Sequence, residues 1–166
     1  MGNGINNGMD SAVKFGAGRY RQGRGVLEHC GQEIRRFGKK AYIVSGPRAF
    51  DAVKDRLLPG LTEAGVEFVA EIYDGVCSYE AAEALGKKCL DAGCDEVVGI
   101  GGGVIMDLSK AVAGKAGVGV INIPTSIATC AAFTAMSVMY TPQGAMKDNW
   151  RYEYETDGSR KSKRNV

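Results

Sequence analysis

Short apolar runs alternate, along most of this chain, with longer segments whose apolar positions recur every three or four residues. The short runs are rich in Val and Ile, which favour strands, and the longer segments have the spacing of helices with one buried face. The predicted strands cover residues 40–44, 66–70, 96–100 and 118–123. Strands that alternate with helices in this way predict right-handed βαβ units, and therefore an α/β fold with a mostly parallel, doubly wound sheet.

Local sequence signals indicate where the predicted helices begin and end. Gly46 and Pro47 fit a helix start after the first of these strands, and Pro59 followed by Gly60 predicts its end. Ser78 is the expected N-cap of the next helix. The predicted buried faces consist of Phe50, Val53 and Leu57 in the first helix, of Ala81, Leu85, Cys89 and Ala92 in the second, and of Met106, Leu108, Ala111, Val112 and Ala113 in the third.

Three glycines, Gly101, Gly102 and Gly103, separate the third of these strands from its helix. Residues without a Cβ allow a tight turn and a close approach to a bulky anion, and the helix that follows presents free N–H groups and the positive end of its dipole. This arrangement predicts a phosphate site at the carboxyl edge of the sheet. The alternative is a turn that serves packing alone, because Val104 takes the third glycine position of the G-x-G-x-x-G pattern and no Walker ending follows.

Composition fits one soluble domain. With 166 residues, of which 45% are hydrophobic, the chain can bury a single core. No secretory leader is expected from its polar, glycine-rich start, and no apolar run approaches the roughly 20 residues of a membrane span, so no membrane partner is expected. Five cysteines without a C-x-x-C pair, together with a single histidine, argue against a disulfide framework or a zinc site. A reducing, cytoplasmic location is therefore expected.

The two ends of the chain differ in composition from the rest. Residues 1–11 are rich in Gly and Asn and are expected to be disordered, residues 12–146 carry the α/β pattern, and residues 147–166 form an atypical charged tail. The tail holds six Lys and Arg against four Asp and Glu, so it accounts for the whole net charge of +2. A nucleic-acid-binding arm is the alternative to a solvated end, but the basic cluster is small and no nucleic acid partner is expected.

Several motifs, in order along the chain, resemble the glycerol dehydrogenase branch of the iron-containing (type III) alcohol dehydrogenases. They occupy residues 15–20, 75–78, 110–113 and 123–144, together with the glycine turn and Asp107. The resemblance covers about residues 12–146. It implies a Rossmann-like dinucleotide-binding domain for NAD or NADP, and an oxidoreductase that acts on the CH–OH group of a polyol such as glycerol or of a 2-hydroxy acid.

The resemblance also implies the cofactor-binding residues. In the family, the glycine turn receives the cofactor pyrophosphate, and a second loop lies along the cofactor. These two segments correspond here to Gly101, Gly102, Gly103, Val104, Ile105 and Asp107, and to Thr125, Ser126, Ile127 and Ala128. The positions that line the adenosine and nicotinamide side correspond to Thr134, Met136 and Tyr140.

The second loop is chemically compatible with that role. Thr125 and Ser126 follow a strand end and Pro124, so their hydroxyl and N–H groups could donate to phosphate oxygens. The alternative is that they cap the next turn.

Arg48 bears on the choice between NAD and NADP. After the first of the predicted strands, NAD-preferring relatives carry an acidic residue near the adenine ribose, whereas this chain continues from Ser45 through Gly46 and Pro47 to Arg48. Without that carboxylate the 2′-hydroxyl loses an acceptor, and Arg48 could pair with a 2′-phosphate, which favours NADP. Arg48 could equally be an exposed helix residue, so both cofactors stay open.

Cys130 stands where glycerol dehydrogenases carry an aspartate that contacts the substrate. Residues 129–132 are more similar to the branch that reduces 2-oxo acids to hydroxycarboxylates, and the loss of a carboxylate removes repulsion toward an anionic substrate. Thr129 and Cys130 are therefore candidates for the substrate side, and no residue is assigned to catalysis. A reactive thiolate at Cys130 is an alternative, although it has no basic neighbour in sequence.

The family's catalytic metal, zinc or iron, bears on whether this chain can act as an enzyme. Family members continue into a helical domain that supplies an aspartate and two histidines to the metal, whereas the single histidine here is His29. The metal is therefore not expected to bind this chain, which we interpret as a truncated N-terminal portion. The alternatives are a nucleotide-binding module without chemistry and an inactive product that does not fold stably. The expected partners are the dinucleotide and a small-molecule substrate, and a homo-oligomer stays open because relatives are commonly oligomeric.

Overall fold

The computed structural model describes residues 11–14 and 18–152. In chain order, its elements are β1 Ser11–Lys14, β2 Arg19–Gln22, α1 Val26–Arg35, β3 Lys40–Ser45, α2 Pro47–Glu63, β4 Glu67–Ile72, α3 Tyr79–Asp91, β5 Glu96–Gly101, α4 Gly103–Ala116, β6 Gly119–Pro124, β7 Met136–Tyr140 and β8 Met146–Arg151. Strands β3 to β6 form one parallel sheet in the order β4-β3-β5-β6, which confirms the predicted α/β fold. The hairpins β1–β2 and β7–β8 are antiparallel.

Alternate residues of the central strands face two separate cores. Ala41, Ile43 and Val98 pack with α1 and α2 on one face of the sheet. On the other face, Tyr42 and Val97 pack with α3 and α4. Because the helix after β3 and the helix after β5 lie on opposite faces, the connections diverge between the carboxyl ends of these two neighbouring strands. In open parallel sheets, ligands bind in the crevice at such a point.

The prediction that α2 ends at Pro59 and Gly60 is wrong. The helix continues to Glu63 with Pro59 inside it, and Leu61 beyond the proline is completely buried. The continuation also brings Gly60 against α1, where a Cβ placed on Gly31 would lie 2.0 Å from the Gly60 carbonyl oxygen. Burial of this last turn against α1 outweighs the one hydrogen bond that proline removes.

Other local predictions are confirmed. The Ser78 hydroxyl accepts a hydrogen bond from the Ala81 N–H at 3.1 Å, as expected for an N-cap. In α3, Leu85 and Cys89 are buried as predicted. The helix α4 is buried over the whole run from Ile105 to Ala113 and not on one face alone. A helix buried all round is typical of a central position in the fold, here between the sheet, α3 and the β7–β8 hairpin.

The β7–β8 hairpin extends the folded structure into the segment that composition assigns to the charged tail. Trp150 on β8 packs beside Tyr79 and Tyr152, with ring centroids 5.7 and 5.2 Å apart. The Tyr79 hydroxyl donates to Asp148 at 2.9 Å. Residues 147–151 therefore belong to a strand that packs on α3 and α4. The predictions of a disordered start and of a charged tail otherwise concern residues 1–10 and 153–166, which lie outside the described residues.

Among the described residues, the helices are too short or too polar to cross a membrane.

Candidate functional site

The carboxyl ends of β3, β5 and β6 form a connected edge beside the start of α4. The Ser45 hydroxyl donates to the Ile100 carbonyl oxygen at 2.9 Å, and the Thr125 N–H donates to the Gly101 carbonyl oxygen at 2.9 Å. These bonds hold the ends of the three strands in register, so the glycine turn leaves the sheet from a fixed position.

Three of the glycines near this edge have a packing reason. A Cβ on Gly99 would lie 2.3 Å from the Ser109 hydroxyl oxygen, and one on Gly101 would lie 2.9 Å from the Ile105 Cβ. On Gly103 it would lie 3.2 Å from the Thr129 hydroxyl oxygen. Packing therefore accounts for Gly99 and Gly101 without a ligand, and for Gly103 more weakly, because Thr129 would have to shift by only a few tenths of an ångström.

Gly102 has no such reason. A Cβ placed there would meet no atom within 4 Å, and its φ of −90° and ψ of −169° are open to any residue. Gly102 is also the N-cap of α4, where a side-chain acceptor would normally stabilise the helix, yet no side-chain cap is formed. The fold thus leaves open space over the positive end of a buried helix, as the close approach of a bulky anion requires.

The first turn of α4 faces this open space. The Met106 N–H is bonded to the Gly102 carbonyl oxygen, so the N–H groups of Gly103, Val104 and Ile105 are those that precede the first helical bond. Val104 has 46% of its surface exposed, whereas Ile105 is 7% exposed and packs beside Ala131. The side chain of Val104 therefore lies on the open side and the apolar side chain of Ile105 on the closed side.

Asp107 and Lys110 face the opposite way, into the protein. The Asp107 carboxylate lies 2.9 Å from the Lys110 Nζ and accepts the Val138 N–H at 3.0 Å. Burial lowers the pKa of Lys110 from its ordinary value, and the hydrogen bond that Lys110 donates to Asp107 offsets part of that shift. Both oxygens of Asp107 are engaged within the chain, so its contribution to the edge is structural. Sequence analysis missed the role of Lys110, for which the signal is a charged pair three residues apart within a buried helix.

The second loop is exposed and partly self-bonded. The Ser126 hydroxyl accepts the Ala128 N–H at 3.2 Å, which is the capping role weighed above. Thr125 is exposed beside the end of β6, and the side chain of Ile127 is fully exposed. The Thr129 hydroxyl accepts the Ala131 N–H at 3.1 Å, close to Gly103. The structure therefore brings Thr125 and Thr129 to the same edge as the glycine turn.

The other proposed contacts lie on or before β7. Thr134 and Met136 line a shallow cleft of about 320 Å³ together with Ala135, Arg151 and Tyr152. Tyr140, at the far end of β7, donates its N–H to the Cys77 carbonyl oxygen and is half-buried. Thr134 and Met136 are thus close together, and Tyr140 is separated from them by the length of the strand.

Arg48 lies at the neighbouring end of β3. It is exposed in the first turn of α2, and it forms no ion pair with another described residue. Since Gly46 and Ile105 approach each other across the crevice, the start of α2 and the start of α4 border the same space. The Arg48 guanidinium is therefore available to an anion there.

Cys130 is the exposed thiol among five free cysteines. Burial raises the pKa of Cys30 to about 11 and those of Cys77 and Cys89 to about 12, and it also raises that of Cys94. A raised thiol pKa lowers the fraction of reactive thiolate at neutral pH.

We expect Cys130 to be the thiol that a maleimide modifies in the native protein at pH 7 to 8. Cys77, Cys89 and Cys94 should react only after denaturation, and the half-buried Cys30 should react more slowly than Cys130, because burial limits both access and thiolate formation. Mass spectrometry of peptides from native and denatured protein would identify the modified residues. Modification of Cys89 or Cys94 in the native state would contradict this expectation.

A catalytic zinc or iron ion needs several His, Cys, Asp or Glu side chains close together. Within the part of the chain that the structure describes, no three His, Cys, Asp or Glu side chains come together. His29 is exposed on α1. These residues do not fit a catalytic metal, and no chemistry is assigned through one here.

Comparisons with known proteins agree with the fold. A model of the iron-containing alcohol dehydrogenases matches residues 17–155. Glycolaldehyde reductase of Halobacterium salinarum is 30% identical over 138 residues, which is 83% of this chain and 38% of that protein. Glycerol dehydrogenase of Thermotoga maritima is 37% identical over 131 residues, which is 78% of this chain and 35% of that protein. Hydroxycarboxylate dehydrogenase A of Escherichia coli is 34% identical over 107 residues, which is 63% of this chain and 28% of that protein.

Among solved structures, a probable glycerol dehydrogenase from Sinorhizobium meliloti superimposes with a TM-score of 0.70 at 27% identity. The match covers 80% of this chain and 36% of that one. The match therefore spans between 28% and 38% of the length of these relatives.

Proposed function

This chain belongs to the iron-containing alcohol dehydrogenases, and from that premise we propose that it forms the dinucleotide-binding portion of an oxidoreductase. The proposed substrate is a polyol such as glycerol or a 2-hydroxy acid, oxidised at its CH–OH group. The observation that carries the proposal is the open space over Gly102, which the fold itself does not require.

The residues around Gly102 fit a dinucleotide pyrophosphate. The N–H groups of Gly103, Val104 and Ile105 can donate to its oxygens, and the α4 dipole favours its negative charge. The exposed Thr125 can add a hydroxyl donor from the end of β6. When bound, NAD or NADP supplies the group that accepts or donates a hydride.

The substrate class follows from the loop beside the turn. Thr129 lies against Gly103, and Cys130 next to it is exposed, so a substrate placed beside the nicotinamide would meet a hydroxyl and a thiol. Neither group is a carboxylate, which favours an anionic 2-hydroxy acid over a neutral polyol. The hydroxycarboxylate dehydrogenase among the relatives supports this preference.

Catalysis is proposed for the whole protein. The described residues hold no ligand set for the family's metal, and the match spans well under half of the length of the relatives. What the residues of this chain do is bind the dinucleotide, orient it, and border the substrate.

Calorimetric titration of the folded chain with NAD and NADP in parallel tests the proposal. We expect saturable binding of one dinucleotide per chain. A folded chain that binds neither cofactor would overturn the assignment of a working dinucleotide site to these residues.

Arg48 provides a second prediction, on cofactor choice. Replacing Arg48 with alanine should weaken NADP binding about tenfold and leave NAD within about twofold, because a phosphate loses one charge-assisted contact. Titration of both cofactors against wild type and variant measures the difference. Arg35→Ala is the matched control, since Arg35 is exposed in the last turn of α1, before β3 begins and thus at the opposite edge of the sheet. Equal effects of Arg48→Ala on both cofactors would contradict the 2′-phosphate contact.

A further inference from the structure

Lys110 is a charged residue in the middle of the buried helix α4, with 2% of its side chain exposed. Its Nζ donates to the carbonyl oxygens of Ala131 at 2.7 Å and Thr134 at 3.0 Å, and also to that of Met136. It lies 2.9 Å from Asp107, one turn earlier. An ammonium group has three donors and no acceptor, so its hydrogen-bonding capacity is directed to Asp107 and to one stretch of backbone.

Asp107 continues the same set of contacts toward β7. Its Oδ2 accepts the Val138 N–H at 3.0 Å, and its backbone carbonyl accepts the Ser137 hydroxyl at 2.7 Å. The Tyr152 hydroxyl in turn donates to Ser137. Side chains one turn apart on α4 therefore hold both the residues before β7 and the first residues of that strand.

The segment of residues 129–135, which we call the anchored loop, is tied to α4 through Lys110. Its other contacts include a T-shaped contact between the rings of Phe133 and Tyr20, with centroids 5.0 Å apart, and the Ala135 carbonyl oxygen, which accepts the Tyr152 N–H at 2.9 Å. It contains no helix or strand, and Cys130 and Phe133 are exposed. Ala131 is its buried apolar residue, packed beside Ile105 and Met106. One alanine buries little apolar area, so the buried polar contacts of Lys110 are the attachment that ties this loop to α4.

We propose that Lys110 is a positioning residue for the nicotinamide side of the site. By binding the carbonyl groups of Ala131, Thr134 and Met136, it keeps the anchored loop against the start of α4, where Thr129 meets Gly103. Thr129 and Cys130 are thereby held where they border nicotinamide and substrate. The inference rests on the proposed function, because it assigns Lys110 to that same site.

A comparison of ADP binding with NAD binding distinguishes a positioning role of Lys110 from a role in fold stability alone. ADP carries adenosine and a pyrophosphate and depends on the glycine turn, whereas NAD adds the nicotinamide riboside that the anchored loop would border. We expect Lys110→Met to weaken NAD binding at least about tenfold and to leave ADP binding within about twofold of wild type. If the wild-type chain prefers NADP, the comparison uses NADP and 2′-phospho-ADP. A residue that only stabilised the fold would lower both affinities by one factor, since it would change only the folded fraction.

The matched control is Lys115→Met on the same helix, where the lysine is a third exposed and pairs with Glu83. It should change neither affinity. If Lys110→Met does not fold, Lys110→Arg gives the same comparison, because its planar fork keeps the charge near Asp107 but cannot reproduce the contacts to three carbonyls.

A second readout does not need nucleotide. The rate at which a maleimide labels Cys130 should change severalfold in the Lys110 variant and stay constant in the Lys115 variant. Equal losses for ADP and NAD, or unchanged NAD affinity with unchanged labelling, would overturn the role of Lys110. A folded wild-type chain that binds neither ligand would overturn the proposed function, and this inference with it.

Discussion

Replacing Gly102 with aspartate is expected to lower dinucleotide affinity at least about a hundredfold, which corresponds to roughly 3 kcal/mol. The side chain would enter the open space where the pyrophosphate is proposed to lie, and its carboxylate would repel the phosphate groups. Calorimetric titration with the preferred cofactor measures the loss.

The same substitution should not destabilise the protein. Its Cβ meets no atom within 4 Å, and aspartate is a favoured N-cap that also interacts well with the helix dipole. We therefore expect an unfolding free energy equal to wild type or higher by up to about 1 kcal/mol. Gly102→Asn separates steric exclusion from charge repulsion. Gly119→Ala, at another glycine with open space around it, is the control that should bind normally. Unchanged affinity of Gly102→Asp would mean that the pyrophosphate lies elsewhere.

Gly31→Ala should have the largest effect on stability among single-methyl additions to this fold. The new Cβ would lie 2.0 Å from the Gly60 carbonyl oxygen and 2.5 Å from its carbon, so α1 and α2 would have to move apart. Overpacking costs roughly 1–3 kcal/mol, and a clash with backbone puts the expected loss near the upper end, about 3 kcal/mol. Chemical denaturation followed by circular dichroism measures it.

Gly114→Ala is the matched control for this prediction. It is also a glycine inside a helix, but its Cβ would contact Trp150 and Tyr152 at 3.4 Å, an ordinary packing distance. Alanine favours helix over glycine by up to about 1 kcal/mol, so this variant should be as stable as wild type or more so. Similar losses for both variants would show that the close approach of α1 and α2 is not the cause.

The parallel sheet could be predicted because strand and helix periodicities differ and their alternation admits few topologies. The end of α2 could not be predicted from Pro59, since Leu61 and the contact between Gly31 and Gly60 are tertiary features. The β8 strand was not predicted, because its charged residues indicate a solvated tail. The spacing of Trp150 and Tyr152, which places them on one face of a strand, is the signal that could have found it.

The candidate site shows a similar division. Sequence analysis found the glycine turn but could not rank its glycines. Gly102 differs from Gly99, Gly101 and Gly103 only in the space around an added Cβ, which is a tertiary property. The contacts of Lys110 could not be predicted from the sequence either, because its carbonyl partners come from a loop with no regular pattern. Whether the family-derived residues contact a cofactor stays a prediction.

The aromatic contact between the hairpin and the helices makes the protein its own fluorescent reporter. Trp150 is the single tryptophan of the chain, and it lies on β8 between Tyr79 and Tyr152. Its emission therefore monitors docking of the hairpin on α3 and α4, while far-ultraviolet circular dichroism follows the helices. Coincident transitions would show that the hairpin and the sheet unfold as one unit, and an earlier fluorescence change would identify the hairpin as the part that detaches first.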